Sequence, residues 1–250
     1  MYLQGFATLS ELQVGLEHFM KWYNEERIHS SLLYQVPSAV YTESIKSVAF
    51  SPDGMKIVTA AGNISRDENG DNTARIWDTE SGKELQKFTE HTNLVESASF
   101  SPDGKKIVTA SFDETARIWD TESGKELQTL AGHTSFVKSA AFSPDGKKII
   151  TAAAACDNTA RIWDAESGQE LQTLVGHRWT INSAFFSSDG KKIVTASDDD
   201  TARIWDAESG QELQMLVGHT NTVYSASFSP DGKKIVTASY RSARIWLLEE

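Results

Sequence analysis

Residues 100–119 read FSPDGKKIVTASFDETARIW, and this stretch decides the fold. Ser101, Pro102, Asp103 and Gly104 form a turn, because proline presets φ and glycine tolerates a positive φ. KKIVTAS at 105–111 follows with the period-two, β-branched pattern of a strand. Asp113, Glu114 and Thr115 make the next turn, and ARIW at 116–119 the next strand. Glu122, Ser123 and Gly124 turn the chain again before ELQTL at 126–130. Ahead of the stretch, Val95 stands three residues from Ala98, but Ala98 and Phe100 are two apart. A β-bulge is therefore expected there, so that all three point inward.

The unit recurs along the chain, and such self-similarity outranks any local signal. ARIW ends at Trp77, Trp119, Trp163, Trp205 and Trp246, in steps of 42, 44, 42 and 41 residues. FSPDG recurs at 50–54, 100–104, 142–146 and 228–232, with FSSDG at 186–190. A histidine recurs at His91, His133, His177 and His219, the last three after a glycine. Four short strands make a sheet that cannot bury both faces alone, and stacking such sheets radially solves that problem. Through G-H, S-P-D-G and W-D the chain resembles the WD-repeat family over residues 46–250. The resemblance implies an all-β fold, a β-propeller of five WD-type repeats (46–88, 89–130, 131–174, 175–216 and 217–250). It also implies loops on two flat faces that contact other proteins.

His, Ser and Asp recurring together could suggest a nucleophile with its base and orienter. An active site needs one such constellation in one cleft, whereas this one is copied around the array, so no catalytic residue is expected. The resemblance instead implies a structural tetrad: His91, Ser111, Asp113 and Trp119 in repeat two, and His177, Ser197, Asp199 and Trp205 in repeat four. Repeat three keeps His133, Asp157 and Trp163 but has Ala155 where serine is expected. Repeat five keeps His219, Ser239 and Trp246 without the aspartate, and repeat one keeps Asp71 and Trp77 without the histidine. Repeats two and four are therefore expected to be the most rigid, and one and five the loosest.

Where the repeats differ, they serve as one another's control. The loops after the histidines read HTNLVES, HTSFVKS, HRWTINS and HTNTVYS. Phe136, Arg178, Trp179 and Tyr224 stand there in place of smaller residues, and Phe112 and Tyr240 mark the next hairpin turn. Aromatics and arginine carry binding energy at interfaces, so these four are the candidate partner-binding residues. Repeat one has a long acidic insertion, with 14 residues from Thr59 to Thr73 against 6 from Thr109 to Thr115. Asp67, Asn69 and Asp71 make a poor calcium loop, since no bidentate glutamate follows at the right spacing. A solvated loop is expected, with neither metal nor cofactor.

Residues 1–45 hold no repeat. Ser10 is a fair N-cap, and Leu12, Leu16, Phe19 and Tyr23 predict an amphipathic helix over 10–26. WYNEERIHSSL at 22–32, followed by Pro37, resembles the closing stretch of integrase-type transposases from bacterial insertion sequences. That family joins DNA with metals held by two aspartates and a glutamate. The matching tail lies downstream of all three, so a catalytically dead remnant or a gene-fusion relic is expected here and no strand transfer.

The composition, 39% hydrophobic and 24% charged, suffices for a globular core. Of the net charge of −11, residues 1–45 carry −3 and the repeats −8, which disfavours nucleic acid as a partner. No apolar run is long enough to span a membrane, and the start lacks a secretory pattern. With one cysteine, Cys156, a cytoplasmic location is expected. The outer strands fall at 84–88, 126–130, 170–174 and 212–216, and repeat five ends at ARIWLLEE without one. YQVPS at 34–38 would be a poor substitute, because Pro37 lacks a ladder donor. Two architectures stay open: a five-bladed ring with an imperfect last blade, or an incomplete ring whose exposed edges pair with another copy. The functional expectation is a non-catalytic protein-interaction scaffold.

Overall fold

Alternation along KIVTAS sends Ile107, Thr109 and Ser111 to one side of a strand and Val108 and Ala110 to the other, and all five are buried. Burial on both sides requires a sheet covered on both faces. The computed structural model describes residues 45–62 and 72–248, and it shows how that cover arises. The first sheet comprises β1 (Ile45–Phe50), β2 (Lys56–Ala61), β3 (Ala74–Asp78) and β4 (Glu84–Phe88). The second comprises β5 (Val95–Phe100), β6 (Lys106–Ser111), β7 (Thr115–Asp120) and β8 (Glu126–Ala131). The third holds β9 (Val137–Phe142), β10 (Lys148–Ala153), β11 (Thr159–Asp164) and β12 (Glu170–Val175). The fourth holds β13 (Ile181–Phe186), β14 (Lys192–Ser197), β15 (Thr201–Asp206) and β16 (Glu212–Val217). The fifth has β17 (Val223–Phe228), β18 (Lys234–Ser239) and β19 (Ser242–Leu247). Each sheet is an antiparallel meander in chain order, and no helix occurs among the described residues.

The turns and the bulge form as their residues dictate. Ser101 Oγ bonds Asp103 and the Lys106 backbone, while Gly104 takes a φ of +70°, which only glycine adopts freely. Val95 pairs with Ser111 and Ser97 with Ala110, which leaves Glu96 as the extra residue. That bulge turns Val95 and Ala98 into the core, with Phe100 packed against it. β1, β9, β13 and β17 carry the same irregularity.

The core lies between sheets. Val58, Ala60, Ala74, Ile76 and Phe88 on the trailing face of the first sheet cluster with Val95, Ala98, Ile107 and Trp119 on the leading face of the second. Equivalent clusters join sheets two to three, three to four and four to five. The first strands β1, β5, β9, β13 and β17 pack successively against one another, so the sheets fan like propeller blades about their first strands.

The last blade is uncovered. Val58, Val108, Ile150 and Val194 are wholly buried on trailing faces, yet the equivalent Val236 is 47% exposed. Ile245 is 63% exposed, where Ile76, Ile118 and Ile162 are fully buried. Among the described residues the array is therefore open and not a closed ring. β19 also hydrogen-bonds β18 alone, so the fifth sheet lacks an outer strand among the described residues. The helix expected over 10–26, the transposase-like tail, most of the acidic insertion and Asp71 lie outside the described residues.

Candidate functional site

Each complete repeat ties its leading loop to its second and third strands through a buried polar chain. In the second sheet the Trp119 indole donates to Thr109 Oγ1 at 2.9 Å. Thr109 Oγ1 lies 2.7 Å from His91 Nε2, and His91 Nδ1 donates to Asp113 at 2.7 Å. A carboxylate only accepts, so Nδ1 carries the proton. Asp113 also accepts from the Thr92 and Thr115 amides and the Thr115 hydroxyl.

The sequence reading placed Ser111, Ser197 and Ser239 in this chain, and the structure corrects it to Thr109, Thr195 and Thr237. Trp119 pairs with Ile107. Ser111 is four residues along the strand from Ile107, about 13 Å away, whereas Thr109 is only two residues along. Ser111 instead donates to the Asn93 carbonyl and accepts from the Asp113 amide. Ser197 and Ser239 likewise donate to the carbonyls of Trp179 and Asn221.

Repeat three therefore loses nothing from the chain by lacking the serine. His133 bonds Thr151 at 2.7 Å and Asp157 at 3.1 Å, and Trp163 donates to Thr151. Repeat four matches repeat two, with His177 at 2.8 Å from Asp199 and Trp205 on Thr195. In repeat five Ser242 stands in for the missing aspartate, 3.1 Å from His219 Nδ1, and Trp246 donates to Thr237. In repeat one Trp77 donates to Thr59. The glycine before each later histidine sits close to the arginine and tryptophan of the third strand, although Glu90 holds the same place in repeat two. A Cβ on Gly176 would lie 2.8 Å from Arg203 Nη1 and 2.9 Å from Trp205 Cη2. The hydroxyl facing each imidazole is thus that of a buried threonine, which also accepts from an indole.

Burial raises the pKa of Asp113, Asp157 and Asp199, but the histidine and threonine hydrogen bonds outweigh it and hold these carboxyls well below the usual range. A depressed carboxylate adds stability that is full above its unfolded value of 3.8 and lost as pH falls below it. His219, which lacks an aspartate, is depressed below 6.5 by burial and then by the Arg244 charge, against a smaller opposing effect of Asp200. Its contribution is full above 6.5 and fades as pH falls. Hydrogen exchange should therefore show β17–β19 losing protection as pH falls below 6.5, before the aspartate contribution of the second to fourth sheets is lost below 3.8. Earlier loosening of the second sheet would contradict this.

The candidate binding residues line the end of the array where the leading loops meet the second hairpin turns. The Phe112 amide bonds the Leu94 carbonyl, Ala154 bonds Phe136, and Asp198 bonds Thr180. Phe136 stacks on Phe112 with centroids 4.5 Å apart and planes within 2°, so it also joins the second and third blades. The Lys138 ammonium lies 5.7 Å from the Phe112 ring and 3.1 Å from Glu96. Arg178 is exposed, and its carbonyl accepts from Asn158 of the third blade. Trp179 is 60% exposed. Tyr224, read as a loop residue, is the extra residue of the β17 bulge, 51% exposed. Tyr240, also exposed, has the Arg241 guanidinium 5.0 Å from its ring.

The family described as WD domain, G-beta repeat matches residues 35–78, 82–120, 124–164, 168–206 and 210–246. The first match begins inside the stretch read as a transposase-like tail. No curated protein matches the chain. Five matched repeats span most of the sequence, and each from the second onward supplies the outer strand of one blade and the first three strands of the next, so the chain belongs to the WD-repeat family.

Proposed function

We propose that the chain is a non-catalytic, cytoplasmic protein-interaction scaffold that engages a partner through Phe136, Arg178, Trp179 and Tyr224. The exposure of Trp179 carries this reading, because the loop around it is fixed on both sides and holds the indole in water. A preordered aromatic with an arginine beside it is the composition of an interface anchor. The acidic repeats favour a basic or neutral protein surface over nucleic acid. Affinity capture with the full chain tests the reading. Trp179→Ala should lose at least tenfold in retained partner while melting as the parent does, in keeping with a loss of about 2 kcal/mol at a hot spot. Equal capture by both proteins would rule the face out.

A second copy of the chain is a further partner, through the uncovered side of the fifth blade. Val236, Ile245 and Leu247 form an exposed apolar patch there. Light scattering should show mass rising with concentration, and Ile245→Lys should suppress the rise. A mass independent of concentration would remove self-association from the account.

A further inference from the structure

The four complete blades show what β19 lacks. In each of them an arginine on the third strand pairs with a glutamate at the start of the fourth: Arg75 with Glu84 at 3.3 Å, Arg117 with Glu126 at 2.5 Å, Arg161 with Glu170 at 2.6 Å and Arg203 with Glu212 at 2.5 Å. Four residues after each glutamate, a large apolar side chain lies opposite a third-strand alanine and is buried. Leu130 faces Ala116 and Leu216 faces Ala202 in this way. β19 keeps both receiving residues, Ala243 and Arg244, but its outer edge carries no strand among the described residues. Arg244 is exposed, and no carboxylate among the described residues forms an ion pair with it, in contrast to its four counterparts.

We propose that the edge of β19 is a docking site for an extended segment of a partner protein that carries a glutamate and, four residues later, a large aliphatic or aromatic side chain. Main-chain hydrogen bonds to the edge supply affinity, as in other cases of strand addition. The glutamate on Arg244 sets the register, since a slip of one residue would put it on the opposite face. The apolar side chain comes to rest beside Ala243 and extends the Val236–Ile245 patch. This site is separate from the aromatic face, and neither depends on the other.

The chain's own outer strand supplies the probe. A fluorescein-labelled peptide SGKELQTLAG, copied from residues 123–132, is titrated into the full-length protein and followed by anisotropy. Saturable binding is expected, together with new exchange protection of the 242–247 amides. Glu→Gln in the peptide or Arg244→Gln in the protein should each weaken binding about threefold to tenfold. Arg244→Glu with the peptide's glutamate changed to arginine should recover most of the loss. Arg244 is exposed, so these variants should melt like the parent. Lack of saturable binding, which would also result if another segment already filled the edge, overturns the proposal. So does binding that is indifferent to Arg244.

Discussion

Thr109→Val should lower stability by about 2–6 kcal/mol, with little change in volume. The substitution keeps the shape of the side chain but leaves two buried groups, the Trp119 N–H and the His91 Nε2, without their shared partner. Each orphaned group costs about 1–3 kcal/mol. Ser111→Ala provides the contrast. It removes one donor to a loop carbonyl and one acceptor for the Asp113 amide, and should cost about 1 kcal/mol. Urea unfolding followed by tryptophan fluorescence measures both. A larger loss from Ser111→Ala would mean that the serine is the hub, as the resemblance to the family implies.

Ile118→Ala should cost about 2–5 kcal/mol, whereas Ile245→Ala, its counterpart in the last blade, should cost less than about 1 kcal/mol. Ile118 is wholly buried between the second and third sheets, and truncation leaves a cavity there in addition to the lost transfer free energy. Ile245 is 63% exposed and surrenders little contact. The two residues occupy the same place in the same motif, ARIW, so propensity and local sequence cancel from the comparison. Comparable losses at both sites would show that the fifth blade is covered in solution.

Much of this fold is legible in one repeat. The turn at Ser101–Gly104 follows from proline and glycine chemistry, and the outer strands begin where ELQ begins. The bulge at Glu96 follows from the mismatch between a three-residue and a two-residue step. Three features are not legible, each for a definite reason. Thr109 and Ser111 share a face of one strand, so only the diagonal reach of the indole decides which hydroxyl it meets. Ser242 substitutes for an aspartate from the far side of the turn, at a position no motif marks. The exposure of Val236 and Ile245 depends on whether another blade follows. Val194 and Ile204 lie in the same local sequence and are buried only because the fifth sheet covers them. The aromatic positions were visible as departures between repeats, but the stacking of Phe136 on Phe112 across two blades was not.

The central claim is that identical motifs differ in exposure only because a blade covers four of them and leaves the fifth open. Thiol labelling tests it most directly. In a Cys156→Ala background, Ile204→Cys and Ile245→Cys are exposed in turn to an excess of Ellman's reagent in dilute native protein. The account predicts that Ile245→Cys reacts within seconds, like a free thiol, while Ile204→Cys waits for unfolding. Equal protection at the two positions would contradict the open array and restore a closed ring.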